Sequence, residues 1–125
     1  MISSEAERSF YLLLNYSAPN EEPVPIGLLL FVPAQTDEID DRLYLQLRTD
    51  WSFITDPEAV EVLELLPGDL KAKIGEIGPR GLVDYLEQTL SNVLRVTDRR
   101  SIAVMGDPAS TLNELYELHI SQGPN

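Results

Sequence analysis

The sequence predicts an α+β fold, a mostly antiparallel sheet of three to four strands packed with about three helices. Three observations carry this. Apolar or alternating runs at residues 10–16, 26–32 and 41–48 are separated by turn-forming residues. Two Asp-Pro pairs, Asp56-Pro57 and Asp107-Pro108, each open a stretch with helical apolar spacing. No repeat, low-complexity tract or linker interrupts the 125 residues, which is one domain's worth.

Phe10 to Tyr16, FYLLLNY, reads as the first strand and ends in the turn formers SAPNEEP. Ile26 to Val32 reads as the second, because the run is too short for a typical helix and Pro33 closes it. Neither strand alternates, so both are expected at the sheet centre with each face covered. Pro23 and Pro25 donate no hydrogen bond, so pairing is expected to begin near Ile26. Gly27 inside this strand costs stability unless a bulge or a close neighbour needs the space. Asp41 to Arg48 alternates: Leu43, Leu45 and Leu47 face the core, and Arg42, Tyr44, Gln46 and Arg48 face solvent. The three strands are expected to form an antiparallel meander.

Asp56 caps a helix with Pro57 in its first position, and Pro67-Gly68 is expected to stop it. Its inward stripe is Ala59, Val62, Leu63 and Leu66. A short second helix over residues 69–77 would turn Leu70, Ile74 and Ile77 inward. Leu82, Val83, Leu86, Leu90 and Val93 mark the strongest helix. Ser101 to Met105 reads as a fourth strand, and Leu94 to Thr97 as another extended piece. Asp107-Pro108 opens a last helix with Leu112, Leu115, Tyr116 and Ile120 on its apolar face. Trp51 and Phe53 read as core or edge packing rather than a ligand platform. Residues 1–8 and 121–125 are expected to fray.

Composition excludes several function classes. With no cysteine there is no disulfide framework, thiolate zinc site or cysteine nucleophile, and a cytoplasmic location is expected. Net charge is −12 with a pI near 4.2. Neither nucleic acid nor an anionic membrane is an expected partner, because phosphate binding needs clustered Lys and Arg. The charge is uneven: residues 35–69 carry ten acids against Arg42 and Arg48, whereas residues 70–105 carry six bases against four acids.

Local motifs give little catalytic chemistry. His119 is the single histidine, which leaves no material for a triad or a histidine-rich metal site. Asp37, Glu38, Asp40 and Asp41 crowd four carboxylates together without the glycine and distant glutamate of an EF-hand loop. Gly75, Gly78 and Gly81 with Arg80 resemble an anion-binding turn, but helix stop, turn and helix start account for them. Arg95, Arg99 and Arg100 surround Asp98; they read as solvated charge, or as a contact for an acidic or phosphorylated segment. Glu22 reads as solvated, or as an ion pair with one of those arginines. No metal, nucleotide or other cofactor is expected.

Tyr11, Tyr16, Pro19, Asn20, Glu22, Pro25, Ile26 and Gly27 carry a resemblance. A tyrosine-rich strand, a Pro-Asn turn and a Glu-x-x-Asn-Val-Gly-like motif before an apolar strand resemble a bacterial family of small proteins of unknown function. Pro25 stands where that family shows asparagine, which puts a polar role there in doubt. The closing DPASTLNELYELHI is similar to the family's last helix, and the resemblance spans roughly residues 9 to 120. Members of that family are often encoded beside HipA-type kinases, so the resemblance implies a partner role. The expected function is a non-catalytic protein-interaction or accessory module of a bacterial cytoplasmic system. An acidic mimic that blocks a nucleic-acid-binding protein and a small enzyme of unrecognised type stay open as alternatives. The expected partner is another protein, contacted by or steered toward the acidic segment; the oligomeric state is left open. Glu22, Gly27, Asp37, Glu38, Asp40, Asp41, Arg95, Arg99 and Arg100 are the candidate interaction residues.

Overall fold

A computed structural model describes residues 9–17, 22–34, 41–51, 54–88, 94–104 and 106–121. Asp37, Glu38, Asp40, Phe53, Leu90, Val93, Met105 and the residues expected to fray at 1–8 and 122–125 lie outside these ranges. The strands are β1 (Phe10–Tyr16), β2 (Val24–Val32), β3 (Arg42–Leu47), β4 (Leu94–Val96) and β5 (Arg100–Ser101). They form one antiparallel sheet in the order β3-β2-β1-β4, with β5 pairing β1 beyond β4. The expected meander of three strands is present. The run over residues 101–105 divides differently: Ser101 ends β5, and residues 102–104 lie outside the strands, with the Ile102 N–H still bonded to Ser9 O at 2.9 Å.

Two helices flank the sheet, not about three. The first, α1 (Pro57–Gln88), takes in the helix expected from Asp56-Pro57, the short one expected over residues 69–77, and the start of the one marked by Leu82 to Val93. Pro67 does not stop it: Gly68 has no positive φ, and Leu63, Leu66 and Leu70 on either side pack on one core, which offsets the cost of proline inside the helix. The break comes at Gly78, with φ 81 and ψ 170, directly before Pro79. A residue before proline avoids the helical region, and glycine alone takes positive φ freely. The second helix is α2 (Pro108–Tyr116), continued by a π-helical turn over Glu117–Ser121. The Asp-Pro starts behave as expected. Asp56 Oδ1 accepts from the Glu58 N–H at 3.0 Å, and Asp107 Oδ1 accepts from Ala109 at 3.1 Å.

The helices lie on opposite faces. On the α1 face, Leu14, Tyr16, Ile26, Leu29 and Trp51 pack with Leu63, Leu70 and Leu82. On the α2 face, Leu13, Leu28 and Leu30 pack with Leu112, Leu115 and Ile120. Leu28, Leu29 and Leu30 are therefore all 0% exposed despite pointing alternately to opposite sides. This explains the absence of alternation in β1 and β2. The polar face of β3 is only partly left to solvent: Arg42 is exposed as expected, but Tyr44 packs into the α2 layer, and Arg48 Nη1 donates to the Ile120 carbonyl at 3.3 Å. Val62 and Ile77 are not inward; they are 57% and 40% exposed. The buried stripe is Ala59, Leu63, Leu66 and Leu70, and Val62 falls beside it. Ile77 closes the first segment of α1, where the break at Gly78 turns the chain.

Pairing of β2 begins at Val24 rather than Ile26. Asn15 pairs Pro25 and Leu14 pairs Gly27, so Ile26 is an extra residue and forms a bulge. Pro25 is tolerated because β3 reaches only to the Arg48 N–H bonded to Ile26 O at 2.8 Å, leaving a ladder on one side alone. Gly27 is needed for space: a Cβ there would overlap Leu47 Cδ2 and lie 3.4 Å from Gln46 O. Gly27→Val is expected to lower stability by about 1–3 kcal/mol through overpacking. Urea midpoints should recover part of that loss when Leu47→Ala is added, because the clash is with that side chain. A Gly27→Val midpoint at or above wild type would remove the packing role.

Candidate functional site

Asp41, Arg95, Arg99 and Arg100 sit at the rim of the sheet, since both faces are filled. Arg99, between β4 and β5, reaches α1. Its Nε and Nη2 donate to the two oxygens of Glu87 at 2.9 and 2.8 Å, and Nη2 also meets Asp84 Oδ1 at 3.1 Å. Hydrogen bonding to Glu87 leads the effects that raise its pKa above the ordinary arginine value. Its guanidinium lies 4.7 Å from the Phe10 ring centroid. Phe10 stacks on Phe31 with centroids 4.9 Å apart, and Arg80 lies 5.1 Å beyond Phe31. Arg80 is in turn held by Asp41, Nη2 to Oδ2 at 3.2 Å. Asp41 Oδ1 also accepts from the Ala34 N–H at 2.8 Å.

Two buried phenylalanines are thus clamped between two arginines, each arginine fixed by carboxylates. This assigns Asp41 and Arg99, two of the candidate interaction residues, to holding the second segment of α1 on the sheet. The clamp also occupies Arg80, so the anion-binding alternative at the glycine-rich turn loses its cation. The sequence named Asp41, Arg80 and Arg99 but did not link them. Their common link is Phe10 facing Phe31 across β1 and β2, a register the sequence does not spell out.

The three arginines do not form a cluster. Arg95, on β4, stands at the mouth of a groove of about 250 Å³ floored by Leu14, Leu70, Leu86 and Leu94 and rimmed by Asp69 and Lys73. Lys73 is engaged with Glu76 at 3.3 Å and lies 4.9 Å from the Tyr85 ring centroid. Arg100 stands opposite Tyr11 across the β1–β5 pair. Glu22 is exposed and makes no hydrogen bond or ion pair with a described arginine. Gly27 is a packing residue rather than a contact.

His119, in the π turn that ends the last helix, is half-buried. Its Nε2 lies 3.3 Å from Tyr11 Oη, and the two rings are 5.5 Å apart. Burial first, and the Arg100 charge second, lower its pKa from 6.5. Sequence reasoning missed this pair because 108 residues separate its members. Among the described residues, no group of three or more His, Asp or Glu could hold a metal ion. No described helix is long and apolar enough to cross a membrane.

Arg99→Ala is expected to cost about 1 kcal/mol, the usual scale of an exposed ion pair with a cation–π contact. A thermal melt checks it, and an unchanged Tm would mean the clamp carries no stability. For His119, the folded pKa lies below the unfolded value, so the unfolded chain binds the proton more readily. Its contribution is complete above about pH 6.5 and is lost as pH falls through the folded pKa. Denaturation between pH 7 and 5 should show stability falling with pH, and His119→Gln should flatten that slope; equal slopes would contradict the coupling.

No protein-family profile, characterised protein or solved structure matches this chain.

Proposed function

We propose that the chain is a non-catalytic protein-interaction module whose contact surface is the outer stripe of the first half of α1. The supporting observation is the composition of that stripe. Glu58, Glu61, Val62, Leu65 and Asp69 share one helical face opposite the buried Leu63 and Leu70. Val62 is 57% and Leu65 is 61% exposed, large apolar side chains set among carboxylates. Exposed apolar groups rimmed by charge are the mark of a docking surface. The complementary partner is a basic protein surface with an apolar notch. A HipA-type kinase, implied by the family resemblance in β1 and β2, is the first partner to test.

Two features favour this over the rival readings. An enzyme built on Glu22 and an arginine would need the two together, whereas Arg99 is committed to Glu87 and Asp84. A mimic of a phosphate backbone would present uninterrupted carboxylates, whereas Val62 and Leu65 divide this stripe.

The test uses partner captured with the full chain from its source cell. Glu58→Gln, Glu61→Gln and Asp69→Asn together should slow association at low salt, with little effect near 1 M, where the Debye length is about 3 Å. Val62→Ser with Leu65→Ser should speed dissociation at either salt. Unchanged binding in both variants would place the interface elsewhere, and a partner that is a nucleic-acid-binding protein with a blocked groove would favour the mimic.

A further inference from the structure

The sheet has two edges, and they differ. At one, Thr97–Arg99 separate β4 from β5, so that edge is two short pieces of three and two residues. At the other, β3 runs unbroken for six residues. The Arg48 N–H bonds to Ile26 O, in line with the Gly27↔Leu47 register. Residues 42, 44, 46 and 48 therefore turn their backbone groups to β2. Leu43, Leu45 and Leu47 turn theirs to the outer edge, and their side chains are only half-buried. Beside this edge lies a cleft of about 490 Å³, walled by Lys71 and Ile74 of α1 and Leu112 of α2. Among the described residues nothing pairs with this long apolar edge; such an edge invites pairing, and closed twofold pairing satisfies it without producing fibres.

We propose that a second copy of this chain closes the β3 edge, antiparallel about a twofold axis at Gln46. Side chains opposite one another must share a face, so the axis falls on a residue or not at all. Centred on Leu45, Arg42 would oppose Arg48 of the other copy. Centred on Tyr44, Asp41, already bound to Arg80, would oppose Leu47 on the apolar face. Centred on Gln46, Arg42 opposes Asp50, Tyr44 opposes Arg48 and the two Gln46 amides meet, while on the α1 face Leu45 opposes Leu47. This register brings charges of opposite sign near one another, adding to the contacts Arg42 and Asp50 already make; it sets Leu45 against Leu47 and Leu43 against Thr49, and it puts Leu45 and Leu47 in the hydrogen-bonded positions. The two sheets become one, with β3 next to β3 at its centre. The surface involved is separate from the α1 stripe, so either proposal can fail alone.

The absence of cysteine supplies the test. Gln46 on the axis is a non-hydrogen-bonded pair, whose Cα atoms lie about 4.5 Å apart, within the range a disulfide spans. Purified Gln46→Cys should form a disulfide dimer quickly on mild oxidation at micromolar concentration. Tyr44→Cys, offset from its mate by about 13 Å along the strands, should cross-link at least an order of magnitude more slowly. Wild type should sediment at twice its 14.0 kDa mass. Arg42→Asp should shift it toward monomer, and adding Asp50→Arg should restore the dimer, which mere misfolding would not allow. A wild-type monomer, or equal cross-linking of Gln46→Cys and Tyr44→Cys, would overturn the proposal.

Discussion

The burial of β1 and β2 on both faces is the constraint on which the other features depend. Leu28, Leu29 and Leu30 are each fully buried, yet they point alternately into the α2 layer and the α1 layer. Each such side chain contributes about 1.5–3 kcal/mol on leaving water. One helix cannot cover both sides, so the chain must place α1 below the sheet and α2 above it. The bulge at Ile26 and the bare backbone at Gly27 belong to the same constraint. They let Ile26 reach the α1 core and let Leu47 lie over β2, where a side chain at 27 would stand in its way.

A sheet covered in this way confines charge to its rim and to the outer faces of its helices. Asp41, Arg80, Arg99, Asp84 and Glu87 gather where Phe10 and Phe31 come to the edge of the core. There the arginines shield aromatic faces from water and anchor α1 after its break at Gly78. The outer stripe of α1 has no such task. Its carboxylates, with Val62 and Leu65 among them, serve nothing within the described fold, which is why they support an interaction role better than the arginines do.

Much of the architecture is legible in the chain itself. Unalternating β1 and β2 reveal two-sided burial, and the Asp-Pro pairs locate both helix starts, because these signals are local. The errors came where a local signal competed with its neighbours. Pro67-Gly68 looks like a stop, but the helical register on either side continues one buried stripe, Leu63 to Leu70, and the turn is deferred to Gly78-Pro79. The arginine group looks like a cluster because its members are close in sequence. Strand geometry separates Arg95 from Arg99 and Arg100 and gives each a different neighbour. The clamp and the Tyr11–His119 contact were not legible, since both depend on pairing across long stretches of chain.

Burial by two layers should make β1 and β2 the most stable part of the molecule. Native-state hydrogen exchange in low denaturant measures this directly. The amides of Leu12 to Leu14 and Leu28 to Leu30 should exchange only through global unfolding, with the same denaturant dependence as the whole molecule. Amides of α2 and of β5 should open earlier, since each is held on one side alone. Exchange of the β1 and β2 amides before those of α2 would contradict the account.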